Sequence, residues 1–197
     1  AGADSRCPKP PEPAPVNAPG APVEIELKLA IDPGRAVALR AHPAIVALAR
    51  GTPRIDRTVT VYHDTADRRL WRAGIAVRVR RIRRTHVMTV KGPPEADATS
   101  GIVARPEIEW PVPGDAVDTM RLATTPWRAT IVKALRHGPI EPAFATRFSR
   151  ESRPITFPDG TTATLALARG TIEAGPRRAP ISEVELELVR GERAKLL

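Results

Sequence analysis

The sequence predicts a mainly β, α+β fold: about eight antiparallel strands in a closed or nearly closed β-barrel, with flanking helices. Three observations predict it. Period-two alternation of charged and aliphatic residues recurs in segment after segment, the pattern of strands with one polar face. Acids alternate near both ends of the folded region, in Glu24-x-Glu26-x-Lys28 and Glu183-x-Glu185-x-Glu187, and same-face cations lie between. Many strands with few helical stretches favour closure, because a closed sheet has no exposed edge.

The elements follow in order. Residues 1–22 are interrupted by seven prolines (Pro8, Pro10, Pro11, Pro13, Pro15, Pro19 and Pro22) and read as an extended, solvated tail. The folded domain is expected over 23–191 and opens on the strand at 23–29. Asp32-Pro33 supplies an N-cap and a first-turn proline, so a helix is expected to about Arg50, disturbed at Pro43. Strands are expected at 55–63, 75–83 and 85–92, with a turn-rich connector at 70–74 and a loop at 93–101. Another strand at 102–113 precedes a helical stretch at 115–137, whose spaced apolar residues are Val117, Met120, Trp127, Ile131 and Leu135. Three short strands are expected at 143–153, 154–158 and 161–168, with Phe157-Pro158-Asp159-Gly160 as a turn. The strand at 182–190 closes the set, and 192–197 reads as the start of a further helix or a linker.

Charge and composition narrow the partner classes. Lys and Arg total 31 against 22 Asp and Glu, a net charge of +9, and only five of the 31 are lysines (Lys9, Lys28, Lys91, Lys133 and Lys195). The planar guanidinium fork suits phosphate oxygens. Aromatic residues make up 4 % of the chain, too few for a base-stacking platform, so no specific nucleic acid partner is expected. The run from Arg78 to Arg84 is split by alternation, with Arg78 and Arg80 inward and Arg81 and Arg83 outward. No apolar run approaches a membrane span, and no membrane partner is expected. The single Cys7 excludes an internal disulfide framework, which fits a cytoplasmic protein. His63 and His86 read as packing or surface residues, and no serine or cysteine accompanies them as a nucleophile.

Isolated ions cannot be buried cheaply, so the inward charges of a closed barrel must meet one another, water or a ligand. The expected inward set is Glu24, Glu26, Lys28, Arg57, Arg78, Arg80, Lys91, Arg105, Glu107, Glu109, Arg147, Glu183, Glu185 and Glu187. Carboxylates of this kind suit magnesium or manganese, and the cations suit a polyphosphate anion.

Six segments, in order, resemble the CYTH domains, also called triphosphate tunnel metalloenzymes. They are Glu24-x-Glu26-x-Lys28; Tyr62-His63-Asp64-Thr65; Leu70-Trp71-Arg72-x-x-Gly74 leading to Arg78-Val79-Arg80; Thr89-Val90-Lys91-Gly92; Arg105-Pro106-Glu107-Ile108-Glu109; and 181–191 with its three alternating glutamates. The resemblance is greatest to the bacterial inorganic triphosphatases. It implies an eight-stranded antiparallel barrel closed into a tunnel, with hydrolysis of inorganic triphosphate by Mg2+ or Mn2+ inside it. Carried over position by position, Glu24, Glu26, Lys28, Glu183 and Glu185 are catalytic, and Glu24, Glu26, Glu183, Glu185 and Glu187 are metal-side acids. Lys28, Arg57, Arg78, Arg80, Lys91, Arg105 and Arg147 grip phosphate oxygens, with Glu107 and Glu109 as partners that orient the cations. The resemblance also implies that a helical, histidine-containing phosphate-binding domain can follow. The chain departs from the family at one place. The usual Glu-x-Ala-x-Asp-x-Gly strand is here Thr164, Ala166, Ala168 and Gly170, so two inward acids are missing. Two alternatives therefore stay open: a polyphosphate-binding module with weak or no hydrolysis, and an enzyme for an organic triphosphate such as thiamine triphosphate or ATP.

Overall fold

The structure, a computed structural model, describes residues 21–94 and 101–197. Eight antiparallel strands close into a barrel in the order β1-β5-β4-β3-β2-β6-β7-β8. They are β1 (Val23–Ala30), β2 (Arg54–Asp64), β3 (Ala76–Ile82), β4 (Thr85–Lys91), β5 (Ile102–Val112), β6 (Glu141–Thr156), β7 (Thr162–Ala174) and β8 (Arg177–Arg190). Closure falls on β1, whose first half pairs with β5 (Glu24↔Arg105) and whose second half pairs with β8 (Lys28↔Glu185).

The helices are α1 (Pro33–Ala41), α2 (Pro43–Leu48), α3 (Arg69–Arg72), α4 (Thr119–Leu122) and α5 (Arg128–Leu135). Asp32 caps α1 as expected, its Oδ1 accepting from the backbone N–H groups of Gly34 at 2.8 Å and Arg35 at 3.2 Å. Pro43 divides the first helical stretch, as its missing donor requires.

Apolar residues lie outside the barrel. One core packs Leu70, Leu122 and Ile131 onto the outer face of β3, β4 and β5 through Val77, Val79, Met88, Val90, Ile108 and Trp110. A second packs Ile155, Ala163, Leu165 and Leu196 against the outward residues of β1 and β8, including Ile25, Leu27, Val184 and Leu186. With the apolar faces turned outward onto helices, the opposite faces of the same strands supply a polar lumen.

Four expectations need correcting. The stretch 115–137 holds two short helices, separated at 123–127, where Pro126 withholds a donor and Thr125 turns its hydroxyl back onto the Leu122 carbonyl at 2.9 Å. The two strands expected at 143–153 and 154–158 are one strand, β6. Pro154 is tolerated because it lies beyond the last β2–β6 pair, Arg54↔Ser152, where only the Ala49↔Ile155 bridge continues. β7 and β8 also extend towards each other, pairing as far as Ala174↔Arg177. At the N-terminus Ala21 packs on the first core and the Pro22 carbonyl accepts from the Glu107 N–H at 2.9 Å, so both residues belong to the fold. The remainder of the expected tail, with Cys7, and most of the expected loop lie outside the described residues. Residues 193–196 form a 3₁₀ turn, Arg193–Leu196.

The motif Tyr62-His63-Asp64-Thr65 acquires a structural reason. The nearly buried Asp64 carboxylate accepts from the backbone N–H groups of Thr65 at 2.7 Å, Leu70 at 2.9 Å and Trp71 at 2.9 Å. It thus ties the end of β2 to α3, whose Leu70 anchors the first core. Asp64→Ala is expected to cost about 1–3 kcal/mol by leaving those donors unmet. Thermal unfolding checks it; an unchanged transition would mean that water replaces the carboxylate.

Candidate active site

Inward residues of all eight strands line a cavity of about 630 Å³. On β1, β3, β4, β5 and β8 the strand faces match the sequence reading: Glu24, Glu26, Lys28, Arg78, Arg80, Lys91, Glu107, Glu109, Glu185 and Glu187 all line it. The apolar partners of these residues are held by the outer cores, so the alternation fixes which way each charge points.

The charges form two linked groups. At one side of the lumen Lys91 bridges Glu24 and Glu107, the latter at 3.0 Å. Arg78 donates to Glu107 at 3.3 Å, and Arg80 to Glu109 at 3.0 Å, while the Thr89 hydroxyl donates to Glu109 at 2.8 Å. Burial alone would lower the Arg78 guanidinium, but Tyr62, Glu107 and Glu109 outweigh it and hold its charge firmly. Arg80 is pushed the other way, by burial and by the neighbouring Arg78 charge. The two guanidinium groups thus lie side by side on β3, each with its own carboxylate partner on β5.

Across the lumen Glu185 is held by Lys28 and by Arg150, each at 2.7 Å. Burial would raise the Glu185 carboxyl, but these two cations outweigh it and lower it. Lys28 in turn stands above the ordinary ammonium range, because Glu185, Glu26 and Glu183 outweigh the cost of its burial. Glu187 differs. It faces Glu26 across the β1–β8 register, and burial together with Glu24 and Glu26 pushes its carboxyl up. Glu24 and Glu183 are also raised, burial being the largest cause in each. A raised carboxyl binds its proton more tightly folded than unfolded. These three groups therefore subtract stability as pH rises above the ordinary 4.5, whereas Glu185 acts in the opposite sense.

Other expected site residues lie elsewhere. Arg57 and Arg147 do not enter the lumen. They line a groove on the barrel exterior with Val59, Arg81 and Ser149. The opposite face of β2 is turned inward instead, placing Arg54, Asp56, Thr58, Thr60 and Tyr62 in the cavity, and β6 contributes Phe148, Arg150 and Ser152. Arg105 is tied to backbone, donating to the Gly92 carbonyl at 2.9 and 2.7 Å and to the Gly74 carbonyl at 2.7 Å. It braces the β3 and β4 ends. Glu183 sits toward α1, at the margin of the lumen, 4.0 Å from Lys28.

Small side chains on β7 face the glutamates of β8. Thr164, Ala166 and Ala168 stand opposite Glu187, Glu185 and Glu183 in the β7–β8 register, and Thr164 and Ala168 line the cavity. On its other side Ala168 pairs with Arg150, whose guanidinium reaches Glu185.

The model of the CYTH domain matches residues 23–197. The chain belongs to the CYTH family. Solved structures agree in fold. A candidate adenylyl cyclase from Hippeastrum, described as having a dominant triphosphatase activity, is 20 % identical with a TM-score of 0.52, covering 87 % of this chain and 82 % of its own. A candidate adenylate cyclase from Bacillus halodurans is 17 % identical at a TM-score of 0.52, with coverage of 88 % and 83 %. A chain of the Schizosaccharomyces pombe Mediator head module is 11 % identical at 0.53, with 86 % and 84 % covered. This CYTH domain thus carries the tunnel of a triphosphate-binding family. No described helix is long and apolar enough to cross a membrane.

Sequence reasoning missed the inward residues of β2 and β6, above all Arg54, Tyr62 and Arg150. A usable signal was the run Asp56, Thr58, Thr60, Tyr62, polar on alternate positions and flanked by Val59 and Val61. In a barrel whose lumen is charged, that polar face is the inward one.

Proposed function

We propose that the chain hydrolyses inorganic triphosphate to phosphate and diphosphate inside the tunnel with a divalent cation. The observation that carries this reading is the meeting of Lys28, Arg54, Arg78, Arg80, Lys91 and Arg150 on one enclosed cavity, opposite an acid pair. Six cations suit a compact polyanion, and their charge is fixed by carboxylate neighbours before any ligand arrives.

The donor chemistry fits magnesium or manganese. Glu26 and Glu187 face each other, and among the described residues Glu187 has no cation within ion-pair distance, so their like charges call for a positive ion. Among the described residues no three acids or histidines form a ready cation cage. Magnesium needs none, because it is commonly held by one or two carboxylates together with substrate phosphates and waters. Glu26 and Glu187 would hold it, with Glu24 and Glu183 nearby. When bound, the cation supplies charge neutralisation and a nucleophilic water at neutral pH.

The chain's own residues do the rest. Arg78, Arg80 and Lys91 grip the phosphate oxygens from β3 and β4, while Lys28 and Arg150 do so from β1 and β6. Water attacks the terminal phosphorus, the bond to the bridging oxygen breaks, and diphosphate departs. The cations neutralise charge on the leaving group and the transferred phosphoryl. Glu107, Glu109 and Glu185 keep them oriented.

Ala168 modifies this picture. With no acid beside it, Arg150 is drawn onto Glu185, which is then less free for a cation. Ala168→Asp is expected to release Glu185 and to raise magnesium-supported turnover and magnesium-induced thermal stabilisation together. A robust rate that does not change would remove the significance given to Ala168. A second reading, action on an organic triphosphate, is favoured by Tyr62 and Phe148, which bring aromatic rings into the lumen. A panel of triphosphate, long polyphosphate, ATP and thiamine triphosphate, with and without chelator, separates the readings. Binding that ignores the chelator and proceeds without turnover would point to a binding module.

A further inference from the structure

Neither apolar core includes a residue of β2, and from β6 only Ile155 takes part. The outer wall there carries arginines instead. Val59 is flanked in register by Arg81 on β3 and by Arg147 on β6, and Arg57 lies two residues along the same face of β2. With Arg83 and Ser149 these residues border an exterior groove of about 500 Å³. Arg169 extends the row, pairing with Ser149 from β7.

These guanidinium groups are largely uncompensated. Arg147 meets Glu173 at 3.0 Å, and the nearby Glu151 is engaged by Arg40 at 3.2 Å. Arg57, Arg81, Arg83 and Arg169 have no carboxylate within ion-pair distance among the described residues. Like charges on neighbouring strands repel, so the face is stabilised when an anion covers it. The forks suit phosphate oxygens in particular. Phe148 is the one aromatic residue bordering the groove, and it borders the lumen as well, so nucleobases find at most a single shared ring here rather than a stacking platform. A ligand made of phosphates alone meets all that the face offers.

We propose that this groove is a docking site for a condensed inorganic phosphate chain, held outside the tunnel and independent of catalysis within it. The test titrates the 197-residue chain with long-chain polyphosphate and, separately, with tripolyphosphate, for the wild type and for Arg57→Ser/Arg81→Ser. Long-chain affinity is expected to fall by about tenfold or more, with a salt dependence shallower by about two counterions. Tripolyphosphate binding, which reads the tunnel alone, stays unchanged. Ser149→Asp, which adds repulsion without removing an arginine, is expected to weaken the long chain in the same way. The proposal is overturned if long-chain affinity survives both variants, or if tripolyphosphate binding falls in parallel. It is equally overturned if a DNA duplex of matched charge competes as well as polyphosphate, because the partner would then be a nucleic acid.

Discussion

Lys91→Ala is expected to lower triphosphate turnover by about 100-fold or more, the scale seen when one preorganised charge is removed from a water-poor site. Lys91 is the junction of the lumen: its side chain is 12 % exposed and it bridges Glu24 and Glu107, the latter at 3.0 Å. Its removal takes away a phosphate partner and leaves two acids facing each other, one of them already raised by burial. The fold therefore suffers as well, by about 3 kcal/mol on the scale of breaking a buried ion pair. Lys91→Arg separates the two effects, because it keeps the charge while altering the geometry. Steady-state rates beside thermal unfolding check the prediction. A turnover loss that merely tracks unfolding would remove Lys91 from the chemistry.

Gly170→Ala is expected to be the most damaging small substitution in the barrel wall. A Cβ at Gly170 would lie 1.7 Å from the Arg147 carbonyl oxygen and 2.8 Å from its carbon, so backbone on the neighbouring strand would have to move. The cost is expected at about 3 kcal/mol or more, the upper part of the range for overpacking. For a chain of this size that lowers the unfolding midpoint by about 6–12 °C. Gly114→Ala is the control, since a Cβ there meets nothing within 4 Å. Equal midpoints for the two variants would show that β6 gives way without penalty. The close approach of the Arg147 carbonyl leaves room for glycine alone at this position of β7.

Legibility in the sequence followed the cores. On β3, β4 and β5 the residues between the charges are Val77, Val79, Met88, Val90 and Ile108, which pack under helices. That contrast of apolar and charged faces settles direction, and Arg78, Arg80, Lys91, Glu107 and Glu109 were readable as lumen residues. The same holds for Glu24, Glu26 and Lys28 on β1, and for Glu185 and Glu187 on β8, where the second core covers the other face.

On β2 and β6 the contrast is weak, because both faces carry polar residues. Asp56, Thr58 and Thr60 are buried while Arg57 is exposed, an order that charge alone suggests backwards. Arg57 and Arg147 were therefore assigned to the wrong side, and Arg150 was overlooked. Pro154 and the Thr125-Pro126 break misled in another way, since local punctuation ended elements that tertiary pairing continues, or divided one that spacing alone joined. Arg105 shares the lumen face yet spends its guanidinium on the carbonyls of Gly74 and Gly92, a use no pattern of alternation could show.

The central claim is that triphosphate is cleaved within this tunnel. Phosphorus NMR of tripolyphosphate incubated with the 197-residue chain and magnesium tests it most directly. The account predicts phosphate and diphosphate appearing in equal amounts, abolished by chelator and strongly reduced in Lys91→Ala. Tripolyphosphate that binds tightly in the presence of magnesium yet remains intact would contradict it.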